Sequence, residues 1–219
     1  MTAPSPPAGQ VLAVLRREVA VERAGREALV TTVPFVAAFV VLAGLALGPS
    51  PDSLAAAAGG TTWLAVLVAT VPLARAVAGT ELAEDSWDLL CGLVGPGPLF
   101  AGKLLAAWLG LLLTALLAGS MVAVLFAAPV PPQALYGCVL GTLALAALTT
   151  ALGVLVASGT RRRGMLAALL LPAGLPALLA GTQLSTPGVP VLPWAVLMTV
   201  YAGVVVTTAW AVFPVLLEE

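Results

Sequence analysis

The sequence predicts an all-α membrane protein with six transmembrane helices, and three observations carry that prediction. Of 219 residues, 61% are hydrophobic and only 9% are charged, against roughly 25% charged in an average soluble domain. The mean hydropathy is +1.10. The apolar residues fall in runs close to the roughly 20 residues that a bilayer crossing needs. Nine Lys and Arg with ten Asp and Glu are too few to build the hydrated surface of a soluble globule. Six spans with short connections use nearly the whole chain and leave no room for a soluble catalytic domain.

Residues 1–27 form the first unit, a tail and an amphipathic helix, and residues 28–219 form the second, the six-helix membrane domain. The first ten residues, MTAPSPPAGQ, are polar and Pro-rich and do not read as a cleavable signal peptide. Residues 10–27 place Val11, Leu12, Leu15 and Val19 at helical spacing with charges elsewhere, the pattern of a helix lying in the membrane interface. The pairs Glu22–Arg26 and Arg23–Glu27 add only about 0.3 kcal/mol each, so the apolar stripe decides. The competing reading is a solvated tail whose arginines only fix topology.

The spans are expected at 28–48, 54–74, 99–127, 133–158, 164–182 and 191–217. A β-barrel would show short alternating segments, whereas LLAAWLGLLLTALLAGSMVAVLF is apolar all round. Orientation follows from the bases. Arg16, Arg17, Arg23 and Arg26 precede the first span, Arg75 and Lys103 flank the link between the second and third, and Arg161, Arg162 and Arg163 lie between the fourth and fifth. The opposite connections, GPSPD, APVPP and TQLSTPGVP, carry no base and a single acid, Asp52. The positive-inside rule therefore puts both termini in the cytoplasm. Topology anchoring alone accounts for Arg161 to Arg163, which also suit anionic lipid head groups or a partner protein.

The connection 75–98, RAVAGTELAEDSWDLLCGLVGPGP, is the longest polar one. Glu81, Glu84, Asp85 and Asp88 place four acids in eight positions, at i, i+3, i+4 and i+7, and so on one face of a short helix. Acids do not assist positive-inside topology. An acidic face beside Trp87 suits docking of a basic cytoplasmic partner; the bland reading is a loop helix kept polar so that it stays out of lipid. GPGP then ends it.

Several functions are excluded by what the spans lack. Net charge is −1, and there is no basic, aromatic-rich surface for nucleic acid. Two cysteines, Cys91 and Cys138, make no disulfide framework, and histidine is absent. No carboxylate falls inside an apolar run, which argues against a proton- or sodium-coupled transporter. Ser120 and Ser158 stand without a base and read as bonded to helix backbone rather than nucleophilic. Gly137 and Gly141 in GCVLG make a small-xxx-small face for close helix approach, within the chain or between copies. Pro172 and Pro176 around Gly174 remove backbone donors in mid-membrane and predict a broken or strongly kinked fifth span, used as a hinge, along a path or for packing.

Three stretches resemble the haem exporter protein B family, CcmB. They are Glu84-Asp85-Ser86-Trp87-Asp88-Leu89-Leu90, GPGPLFAGKLLAAW with Lys103 and Trp108, and RRGMLAALLLPAGLPALLAG. The chain departs from the family at Asp85 and Trp87, where Gly and Leu are usual. The resemblance implies a permease of the type-2 ABC exporter kind in the bacterial inner membrane, a non-catalytic subunit required for cytochrome c biogenesis. It would couple ATP hydrolysis by CcmA to haem export, or to release of a haem-loaded periplasmic chaperone from CcmC. Glu81, Glu84, Asp85, Trp87 and Asp88 would form the coupling helix that docks on CcmA, with CcmC and the small CcmD as further partners. Two ATPase sites call for two membrane halves, so a second copy of the chain is expected. Haem enters as cargo and not as a tightly held cofactor, because without His its iron would need Tyr136, Tyr201, Cys138 or a Met such as Met121. The alternatives are a generic exporter of lipid or small hydrophobic molecules, and a structural assembly subunit that moves no substrate.

Overall fold

The computed structural model describes residues 7–25, 27–83, 95–157 and 165–217. Among them are seven helices and no strand: α1 (Pro7–Gly25), α2 (Glu27–Leu47), α3 (Pro51–Ala83), α4 (Pro96–Leu125), α5 (Gln133–Ala157), α6 (Met165–Leu184) and α7 (Val191–Leu217). Four contain stretches long and apolar enough to cross a membrane, Pro51–Pro72, Pro96–Leu125, Gln133–Gly153 and Val191–Val215. Thr32–Leu47 and Ala168–Leu184 are shorter apolar helices.

Helix ends follow local chemistry. The left-handed backbone at Gly48 (φ 80°) and Gly188 (φ 79°) turns the chain after α2 and between α6 and α7, where a Cβ would be strained. Gly95 precedes α4 in an extended conformation, and Pro96 opens the helix where no amide donor is needed. At α3 the structure corrects the sequence reading. The helix does not end near residue 74 but continues to Ala83, because RAVAGTELA contains mostly good helix formers and no proline, and the single Gly79 is tolerated. Its 33 residues span about 50 Å at 1.5 Å each, well beyond the apolar stretch. Glu81 therefore belongs to the end of α3 and not to a separate short helix.

The main core is built around Trp63 of α3, only 2% exposed. Its indole lies where Cβ atoms would stand on Gly141 of α5 and Gly181 of α6, at 2.3 Å and 2.1 Å from the nearest ring carbons. Its Nε1 donates to Ser185 Oγ at 3.1 Å. Leu67, one turn on, fills the notch left by Gly174 of α6, whose added Cβ would come within 2.4 Å. Gly137 of α5 sits against Leu184 and Gly181 of α6. The GCVLG face is thus consumed inside the chain, where it brings α5 and α6 together around Trp63. A second cluster joins Val36 and Val40 of α2 to Ala65 and Ala69 of α3 and to Ala118, Val122 and Phe126 at the end of α4.

The outer surface is apolar. Leu42 and Leu45 on α2, Val124 on α4 and Leu192, Val200 and Val204 on α7 are exposed, an arrangement that water would penalise and lipid does not. The buried hydroxyls of Thr142, Thr149 and Thr150 on α5 bond to carbonyls of their own helix, so they need no partner from another element. Gly181→Ala is expected to force the indole aside at a cost of about 1–3 kcal/mol, seen as a Tm about 2–10 °C lower in detergent. Gly203→Ala, where nothing lies within 4 Å, should not lower Tm in the same assay and gains up to about 1 kcal/mol of helix propensity.

Candidate functional site

A set of specific contacts, including a buried ion pair, lies at the base of α4, which follows the acidic connection. Leu99 and Phe100 are buried, and the Phe100 ring meets Phe213 of α7 with centroids 5.1 Å apart and planes tilted by 59°. Gly102 leaves a notch into which Val14 of α1 fits, since a Cβ there would lie 2.5 Å from Val14 Cγ1 and 3.3 Å from the Val11 carbonyl. Next to it, Lys103 Nζ donates to Glu18 Oε1 of α1 at 3.1 Å, with the two side chains 1% and 15% exposed. Arg17 Nη1 reaches the same oxygen at 3.3 Å. A lysine in an apolar helix costs about 2.5–3.5 kcal/mol at the membrane centre. Glu18 offsets that cost, and removing either partner would strand a buried charge at about 3–5 kcal/mol. Farther along, Trp108 Nε1 donates to the Val139 carbonyl of α5 at 3.1 Å. The two polar residues of GPGPLFAGKLLAAW thus tie α4 to α1 and to α5.

This arrangement refines the sequence reading of α1. The stripe of Val11, Leu12, Leu15 and Val19 is not the whole contact: Leu12 is exposed, while Val14 is buried against Gly102 and Glu18 neutralises Lys103. Sequence reasoning treated Lys103 as a flanking base and missed Val14, Gly102 and Glu18. The available signal was a single cation inside an apolar run, which requires a counter-charge from another element.

The other sequence-selected residues are placed as follows. Glu81 lies in the last turn of α3, and Glu84, Asp85, Trp87 and Asp88 fall outside the described residues. So do Arg161, Arg162 and Arg163, between α5 and α6. Pro172, Gly174 and Pro176 all lie within α6, which is one continuous helix through both prolines. Of the expected break or strong kink, the continuous helix leaves the kink, and neighbouring helices pack around the proline turn. Gly174 lets Leu67 of α3 and Leu145 of α5 close on it, and the Tyr201 hydroxyl of α7 donates to the Ala173 carbonyl. The carbonyls that the prolines leave without an amide donor are those of Ala168 and Pro172, so the Tyr201 bond is an interhelical tie beside them.

Near the turn after α4, a cavity of about 310 Å³ opens between α3, α4 and α5, lined by Trp63, Val66, Leu116, Val130, Leu135 and Cys138 among others. Its hydroxyls are already engaged: Thr62 donates to the Ala58 carbonyl, Ser120 to the Leu117 carbonyl, and Ser185 accepts from Trp63. The cavity suits an apolar group and offers no charge. Among the described residues no group of three or more Cys, Asp or Glu is placed to hold a metal ion.

The pattern of the CcmB protein family matches residues 9–215. The chain belongs to the CcmB family. No curated protein matches it significantly. CcmB membership makes this an integral membrane protein and a membrane component of the ABC system of cytochrome c maturation and haem export, associated with components such as CcmA. The match covers α1 from residue 9 onward and the base of α4. Trp108→Phe and Tyr201→Phe each remove one interhelical hydrogen bond without opening a large cavity. Each should lower stability by about 1 kcal/mol, measured as a Tm shift of roughly 2–4 °C in purified protein.

Proposed function

We propose that the chain is the six-span permease subunit through which ATP hydrolysis by CcmA drives cytochrome c maturation. Both termini lie in the cytoplasm, with residues 1–27 as tail and interfacial helix ahead of the membrane domain 28–219. The observation that carries this reading is the CcmB match over residues 9–215. Six apolar helices after α1 and the placement of all eight arginines before the first span, after the apolar stretch of α3 or between α5 and α6 support the topology.

In this reading Glu81, Glu84, Asp85, Trp87 and Asp88 dock on CcmA. Glu81 ends α3, and α4 resumes at Pro96 in the firmly packed base described above, so a push on the connection between them would reach α1, α5 and α7 through α4. Arg161, Arg162 and Arg163 hold the next cytoplasmic connection at the anionic membrane surface. CcmC, CcmD and a second copy of the chain complete the assembly. Reversing Glu84, Asp85 and Asp88 to Lys is expected to weaken CcmA co-purification about tenfold, the effect of losing roughly 1.4 kcal/mol of interfacial attraction, with cysteine labelling still reporting six inserted spans. Undiminished co-purification would remove the docking assignment.

Haem is cargo in this reading. The sequence has no histidine, and both tyrosines are engaged: Tyr136 bonds Thr199 at 2.5 Å and Tyr201 bonds the Ala173 carbonyl, while Cys138 is a lone thiol at the apolar cavity without a second ligand among the described residues. Met121 packs against the α2–α3–α4 cluster. The chain purified without partners should therefore show no stoichiometric Soret band after incubation with haem, and a one-to-one band would overturn this part.

A further inference from the structure

We propose that Lys103 and Glu18 are a positioning pair that locks α1 to α4 in a single register, so that α1 works as a moving part of the permease and not as a passive membrane anchor. The proposal rests on the permease reading above. Its physical basis is the division of labour between two neighbouring contacts. Val14 in the Gly102 notch sets how closely the two helices approach. The Lys103–Glu18 bond at 3.1 Å adds a charge requirement to that fit: a slide of one turn carries Glu18 about 5.4 Å along its axis, and the slide that brings Glu22 level with Lys103 puts Glu18 in place of Val14 at the Gly102 notch.

Placement supports the same conclusion. A helix lying on a membrane surface is held by its apolar face and its surface arginines, and has no need of a cation buried in a neighbouring span. Here the cation is almost fully enclosed, at 1% side-chain exposure, and its carboxylate comes from a different element. Glu18 also holds Arg17 through the same oxygen, which sets the carboxylate between one cation on its own helix and one on α4. Beside Lys103, Phe100 packs on Phe213. The first turns of α4 therefore join α1 and α7 in one packed unit that follows directly from the connection assigned to CcmA.

The test uses the whole complex in cells. Lys103→Glu and Glu18→Lys are each expected to lower mature c-type cytochrome per inserted chain about tenfold or more, the scale of a stranded buried charge, while CcmA co-purifies as before. The double exchange of both residues should restore the yield to within about threefold, as a pairing role requires. A brace needed only for folding would instead reduce the amount of inserted chain and leave the yield per chain unchanged, which would overturn the proposal. A second arm needs no ATPase. With Cys91 and Cys138 replaced by Ser, a Val14→Cys thiol should react slowly with a maleimide, about tenfold faster in either single reversal, and slowly again in the double exchange. Equal labelling in all four proteins, or failure of the exchange to rescue, would also overturn it. If a reversal does not insert, Lys103→Met and Glu18→Gln replace it with the same readings. If CcmA does not co-purify even with the native chain, the permease reading fails while the labelling arm still decides the lock.

Discussion

Helices in lipid are not driven together by the hydrophobic effect, because lipid tails are as apolar as leucine; they associate where backbones can approach closely enough for dense packing. In this chain that constraint is met around Trp63. The indole occupies space that side chains on Gly141 and Gly181 would take, Leu67 uses the corresponding space at Gly174, and Gly137 brings α5 onto α6. The arrangement depends on two complementary choices in sequence, a large flat residue on α3 and glycines at three levels of α5 and α6. Ser185 completes it by accepting the indole N–H, so the one polar atom of the wedge is satisfied without water.

Once α3, α5 and α6 are fixed in this way, the treatment of polar groups follows a consistent rule. Threonine hydroxyls in the spans bond to their own helices, which leaves interhelical bonds few and specific: Trp63 to Ser185, Trp108 to Val139, Tyr201 to Ala173, Tyr136 to Thr199 and Lys103 to Glu18. Each joins a different pair of elements or a different level of the bundle. Lys103 differs from the rest in being charged, and it is the contact for which an apolar substitute would have been the simpler solution in lipid.

Much of the architecture was legible because membrane helices are written in long apolar runs and because a bilayer permits few alternatives. The turns at GPSPD, APVPP and TQLSTPGVP separate the helices where proline and glycine predict. The extension of α3 to Ala83 was not legible from hydropathy, since a helix of Ala, Glu, Arg and Leu continues as readily in water as in lipid. The continuity of α6 through its prolines was not legible for a different reason. Pro172 and Pro176 remove local donors, but whether a helix survives is decided by its neighbours, here Leu67, Leu145 and Tyr201, which are distant in sequence. The contact between α1 and α4 was hidden in the same way: the lone Lys103 announced that a counter-charge was needed, and the ten acids of the sequence gave no means of choosing Glu18.

The base of α4 and the middle of α6 are linked through α7. Near its C-terminal end Phe213 packs on Phe100 at the base of α4, and twelve residues earlier Tyr201 bonds the carbonyl of Ala173 in the proline turn of α6. Those positions lie about 18 Å apart along one helix. A displacement of the α4 base, in the proposed mechanism produced by CcmA, would shift α7 as a rod and act on the turn of α6 whose own backbone ladder lacks the N–H groups of Pro172 and Pro176. That turn is the place in the described helices where the least backbone bonding opposes bending. The prolines then have a use that needs no break in the resting helix: Gly174 and Tyr201 hold α6 continuous in the packed state, and the missing donors lower the resistance to leaving it.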